Sequence, residues 1–165
     1  MYDGRDVANR ILDICDELHI DISNLALQKI LYFCHVWSLI QLGRPLIRNQ
    51  FEAWEHGPVL PYVYQEFRRS GADSITSRAE KLDKATGVNV IANALLNEEC
   101  ENVVAEAVNF YARLSPSQLV GLSHVRGGPW WTSWEHQGEI NPGMKISDLD
   151  IARYYSAIRQ PFIIQ

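Results

Sequence analysis

The stretch from about Asn24 to Leu42 constrains this chain more than any other. Leu27, Ile30, Leu31, Cys34 and Trp37 recur at helical spacing, Ile40 or Gln41 continues the row, and Phe33 and Val36 widen it. A helix apolar over so much of its circumference belongs at the centre of a fold, because one covered face would leave the rest in water. Ser23 can accept from the first-turn amides, Gly43 supplies a C-terminal stop, and Pro45 forbids continuation.

The rest of the chain reads as elements able to wrap that helix. A first helix runs from about Gly4 to Leu18, with Val7, Ala8, Ile11, Leu12, Cys15 and Leu18 as its stripe, Asp3 as N-cap and Asp6 in the first turn. Leu46-Ile47 and Phe51–Trp54, separated by a turn at Arg48–Gln50, read as a small β-hairpin. Gly57-Pro58 then breaks the chain before a third helix from about Val59 to Arg69, with Pro61 tolerated in its first turn. Ala72 to Val90 has weak periodicity and reads as a loop, with a short strand near Ile75-Thr76 or Val88–Ile91.

Asn97 caps a helix to about Arg113, and Ser115-Pro116 opens a shorter one ending near His124, with Leu119 and Leu122 buried. Pro129-Trp130-Trp131 starts a further short helix to about Gln137, followed by a loop to Gly143. Ser147–Asp150, a capping-box variant, opens a last helix to about Ile158, and Pro161 ends it. The expected fold is mainly α: a compact single-domain bundle of about six helices with a small β-hairpin near residues 46–54.

Length and composition agree with that picture. The 165 residues suit one domain, and 47% hydrophobic residues are enough for a packed core. A net charge of −5 weighs against nucleic acid, whose phosphates call for clustered Lys and Arg. The N-terminus MYDGRDVANR has no signal-peptide core, and no run approaches the ~18 apolar residues of a membrane span. Cys15, Cys34 and Cys100 are odd in number and widely spaced, as expected of buried free thiols in a reducing compartment. These features place the protein in the cytoplasm, with no membrane partner.

No catalytic pattern emerges. His19, His35, His56, His124 and His136 lack the spacing that sets two metal ligands on one helix face. Cys34 lies on the apolar face of its helix, where a thiolate is disfavoured. There is no nucleophile elbow and no phosphate-cradling glycine loop. Trp-Glu-His occurs at Trp54–His56 and Trp134–His136, but no repeat unit surrounds either copy. The expectation is no enzyme, no cofactor and no metal. An enzyme using His124 with an acidic partner is a third-ranked reading. An alternative from another class is a DNA-binding transcriptional regulator built on the first three helices as a winged-helix-like module, with Arg44, Arg48, Arg68 and Arg69 as phosphate contacts. The long connection between its second and third helices and the acidic balance argue against it.

Three motifs in order resemble a known family. Leu27-Gln28-Lys29-Ile30-Leu31-Tyr32-Phe33, then Ala53-Trp54-Glu55-His56-Gly57-Pro58-Val59, then Leu122-Ser123-His124 with Gly128-Pro129-Trp130, are similar to the Panacea family, the SocA-like antitoxin domain also described as a phage-associated protein. With Val7-Ala8-Asn9 and the final helix the resemblance covers nearly the whole chain, so residues 1–165 are expected to form a single Panacea domain without a fused DNA-binding segment. The resemblance implies an antitoxin of a bacterial or prophage toxin–antitoxin system. It would neutralise a cognate toxin, encoded next door, by direct protein binding, with no enzymatic activity and with homo-oligomerisation open. The residues carried over from the family are Gln28, Lys29, Tyr32, Trp54, Gly57, Pro58, His124, Pro129 and Trp130, and they read as fold determinants, since partners vary. Trp54→Ala is therefore expected to unfold the domain before it weakens binding. Toxin-contact candidates are the outward neighbours Glu52, Tyr62, Arg68 and Arg69 with Trp131 and Trp134. The segment Gln137–Lys145 departs from the family pattern, which leaves the roles of Glu139 and Asn141 open.

Overall fold

A computed structural model describes residues 1–135 and 142–158. Its order is α1 (Gly4–Glu17), α2 (Asn24–Gln41), β1 (Glu52–Trp54), β2 (Gly57–Val59), α3 (Pro61–Glu66), a 3-10 turn (Arg68–Ser70), β3 (Glu80–Leu82), β4 (Asn89–Ile91), α4 (Glu98–Tyr111), α5 (Pro116–Ser123), α6 (Pro129–Trp134), β5 (Met144–Lys145) and α7 (Asp148–Ser156). The architecture is mainly α, with seven α-helices and small antiparallel strand pairs among the described residues.

Helix α2 is the axle. Every residue from Ala26 to Ser38 is buried, and α1, α4, α5, α7 and β2 all pack on it. By contrast α1 buries one stripe and exposes Asp13, Asp16 and Glu17, as its 3.6-residue period dictates. The caps form as their side chains allow: Asp3, Ser23, Asn97, Ser115 and Ser147 each accept a first-turn amide. Buried polar groups on α2 are partnered. Ser38 donates to the Arg44 carbonyl at 2.8 Å. His35 accepts from the Ile47 amide at Nδ1 (3.2 Å), which leaves Nε2 to donate to the Asp148 carboxylate of α7 (3.2 Å). Trp37 is core, its indole donating to the Tyr111 hydroxyl of α4 at 3.2 Å. All three cysteines are free and buried. Burial pushes the Cys15 thiol up to about 11 and that of Cys34 higher.

The hairpin exists, but with different partners. β1 pairs with β2, Trp54 opposite Gly57, and β5 adds a third strand on the other side of β1. Leu46 and Ile47 are both fully buried, so they lack the in–out alternation of a hairpin arm, and Ile47 instead bridges Tyr2 in parallel. The reversal falls at Glu55-His56 because Gly57 takes φ +102°, which closes the chain directly after Trp54. Val59 is thereby drawn into β2, and α3 starts two residues later than its pattern suggested.

In the 72–90 region Val88–Ile91 does supply a strand, Asn89–Ile91. It pairs with Glu80–Leu82, which alternates too weakly to be read in advance. Near Ile75-Thr76 only Ser74 bridges Ser23. Leu122 is half-buried rather than buried. The expected helix end at Gln137, most of the Gly138–Gly143 loop, Glu139, Asn141 and Pro161 lie outside the described residues. No helix among the described residues is long and apolar enough to cross a membrane.

Candidate protein-docking site

The β1–β2 hairpin is too short to satisfy its own backbone. Four side chains from three helices complete it. From α2, Lys29 Nζ donates to the Pro58 carbonyl at 2.9 Å, and Gln28 Oε1 accepts from the Leu60 amide at 3.0 Å. From α6, the Trp130 indole donates to the Trp54 carbonyl at 2.9 Å. From the end of α5, His124 Nε2 reaches the Glu55 carbonyl at 3.1 Å. Buried main-chain groups need partners of this kind, because an orphaned carbonyl or amide costs about 1–3 kcal/mol.

The other motif residues serve the same corner. A Cβ on Gly57 would lie 2.7 Å from Ser123 Oγ and 2.9 Å from Lys29 Nζ. Only glycine fits that space at that dihedral. Pro129 is buried at the first position of α6, setting Trp130 beneath the hairpin, where the His124 ring meets it at 3.7 Å between centroids. Tyr32 lies one turn beyond Gln28 and packs edge-on against Phe51 at 5.3 Å. Gln28 is itself held by Asn24 (3.2 Å), which donates on to the Tyr64 carbonyl at 3.0 Å. Sequence reasoning gave Asn24 no role beyond opening the helix and carried Ser123 only inside its third motif. Asn24 was legible as an amide one turn before Gln28 on the same face, whereas Ser123 needed the fold.

Lys29 is the electrostatic singularity of the corner. It is wholly buried, its bonded partner is a carbonyl rather than a carboxylate, and burial pulls its ammonium down to about 7. His124 Nδ1 lies 2.6 Å from the Val120 carbonyl. The ring faces carbonyls on both sides. Among the described residues neither nitrogen meets a carboxylate, the partner that the third-ranked enzymatic reading requires.

In front of the corner the tip residues Glu55 and His56 are exposed. Beside them lies a cleft of about 270 Å³ lined in part by Trp54, Tyr64 and Gln28. Trp54 is half-buried there, edge-on to Tyr64 at 5.3 Å, and its indole donates to Glu52 at 3.1 Å. The contact candidates scatter. Arg68 and Arg69 are exposed past α3. Tyr62 accepts from the Gly4 amide at 2.8 Å and carries the Arg5 guanidinium over its ring, so it clasps α1 to α3. Glu52 faces Lys145 of β5 at 3.6 Å. Trp134 stacks on Trp130 at 5.7 Å, and Trp131 is half-buried. In the DNA-binding alternative, Arg44 lies apart from Arg68 and Arg69. Arg44 follows the C-terminus of α2 and pairs with Glu99, while Arg68 and Arg69 precede Gly71, which shares the cleft with Asn24 at the N-terminus of that 18-residue helix. About 27 Å of helix separates the two ends.

A buried polar corner thus props an exposed hairpin on a mainly helical scaffold. The profile described as Antitoxin SocA-like, Panacea domain, matches residues 27–131, a span that holds all nine motif residues, and the chain belongs to that family. Antitoxin SocA of Caulobacter vibrioides (strain NA1000 / CB15N) is 44% identical over 147 residues, covering 88% of this chain and 78% of that protein. No solved structure matches.

Proposed function

We propose that this chain is an antitoxin that neutralises a cognate toxin by direct, stoichiometric protein contact in the cytoplasm, and that the toxin is encoded in the adjacent reading frame. The observation that carries the reading is the 44% identity to a named antitoxin across 88% of the chain. The site geometry supports a non-catalytic role, since the motif side chains are engaged with hairpin backbone rather than turned toward a substrate. The whole chain acts as one domain on this reading. Helix α7, which lies outside the family match, packs on the same α2 that the match contains, and α1 does likewise.

The test is co-expression. The adjacent-frame protein alone should arrest growth, co-expression of this chain should restore it, and the two should co-purify at a fixed ratio. A harmless neighbour that fails to co-purify overturns the reading.

A further inference from the structure

The tip of the β1–β2 hairpin is a rigid lip beside a cleft. The Trp54 carbonyl is fixed by the Trp130 indole (2.9 Å) and the Glu55 carbonyl by His124 Nε2 (3.1 Å), while Glu55 and His56 stay exposed. Backbone pinned at both residues fixes where Glu55 stands, so a partner meeting it has little backbone left to order.

The adjoining cleft of about 270 Å³ is walled by Trp54, Tyr64, Leu25 and Val59. Its amide side chains are engaged internally: Gln28 accepts from Leu60 and donates to Asn24, and Asn24 donates to the Tyr64 carbonyl. Among the described residues that line it, Glu55 is the only Asp, Glu, Lys or Arg, and no described residue pairs with its carboxylate. Arg68 and Arg69 come shortly before Gly71 of the cleft but do not line it themselves.

Those walls and that single charge select one kind of side chain. The volume falls just under the roughly 300 Å³ at which small-molecule pockets begin, so the cleft suits one large side chain. Aromatic rings beside an unpaired carboxylate favour a planar cation, because a guanidinium stacks on the rings and meets the carboxylate through two N–H groups. Glu52 strengthens the preference: its carboxylate accepts from the Trp54 indole at 3.1 Å and so makes the face of that ring more negative. An aliphatic guest would leave Glu55 unanswered, and an ammonium lacks the flat fork. The net charge of −5 draws a basic partner toward the chain. An acidic guest is the rival, since α2 begins at this cleft, but Ser23 already caps that end by accepting from the Ala26 amide at 3.4 Å.

We propose that this cleft receives an arginine side chain of the toxin, its guanidinium against Trp54 and Tyr64 and paired with Glu55. The inference rests on the antitoxin reading and names the face and the guest that reading leaves open. The probe is the adjacent-frame protein, titrated against the full chain by calorimetry, with sedimentation of the chain alone in parallel. Glu55→Lys reverses the charge at an exposed position and keeps the carbonyl that His124 holds. Tyr64→Leu removes one ring and keeps the carbonyl that Asn24 holds. Glu55→Lys should keep the wild-type melting temperature and weaken binding by about tenfold or more, and folded Tyr64→Leu should weaken it as well. One toxin arginine, changed to Glu, should then bind Glu55→Lys better than it binds wild type. Binding within twofold of wild type by Glu55→Lys or by folded Tyr64→Leu overturns the proposal, as does the absence of any toxin arginine with that reciprocal behaviour. Tighter binding by Glu55→Lys means an acidic guest and overturns it too. So does a dimer of the chain alone that Glu55→Lys splits, which makes a second copy the occupant. Wild-type chain that does not bind the probe at all refutes the antitoxin reading, and the arginine socket falls with it.

Discussion

Gly57 and Lys29 meet at one point, and each predicts a measurable penalty. At φ +102° a side chain strains the backbone by about 1–3 kcal/mol, and here it also strikes Ser123 and Lys29. Gly57→Ala should therefore lower the urea midpoint by more than that strain alone. Lys29 holds its proton up to near 10.5 when unfolded but only to about 7 when folded. Between those values the unfolded chain binds more protons, so stability rises with pH, by about 1.4 kcal/mol per unit. Below 7 both states carry the charge and the slope vanishes. Cys15 and Cys34 act the other way, because the folded state keeps their protons while the unfolded chain loses them near pH 9. The midpoint should thus climb from pH 7 to 8.5, and Lys29→Met should flatten the climb. Trp130 is buried whereas Trp54 is half-buried. Trp130→Ala should cost about 3–5 kcal/mol and Trp54→Ala less, measured by the same denaturation.

Among the elements, the helices were legible and the strands only partly so. Stripes and caps mark α1, α2, α4 and α5 because a helix buries one face at a period its own sequence carries. Strands of two or three residues carry no such period, and their pairing is settled by what lies beside them. Glu52–Trp54 pairs with Gly57–Val59 and with Met144–Lys145, a partner about ninety residues away that no local pattern announces. The base of the β3–β4 arm is likewise clamped by a distant side chain, the Asn9 amide. Asn9→Ala should leave the Ala79 amide and the Ala92 carbonyl unpaired and cost about 1–3 kcal/mol each at most. Hydrogen exchange should then speed at Ala79 and Ala92 while the amides of α2 stay protected.

At the scale of the molecule, α2 ties every layer together. Helices α1, α4, α5 and α7 share it as their common neighbour, so none keeps its apolar stripe covered if α2 leaves. Unfolding should be one cooperative step: far-UV circular dichroism and tryptophan fluorescence, the latter reporting Trp37 on α2 and Trp130 on α6, should give coincident transitions. Two separated transitions would mean that the hairpin corner melts apart from the bundle.

The sequence by itself determined that a helix apolar on nearly all sides sits at the centre, that capped amphipathic helices surround it, and that three ordered motifs mark a Panacea-type domain. Those are properties of residue type and local period. Only the tertiary structure decided that the motif side chains are spent on hairpin backbone: Lys29 on Pro58, Gln28 on Leu60, Trp130 on Trp54 and His124 on Glu55. It also decided that Glu52 and Tyr62 are engaged internally, and that Glu55 lines the cleft beside the hairpin. A hydrogen bond across twenty-nine to seventy-six residues depends on where separate helices bring two atoms, and periodicity carries no record of that distance.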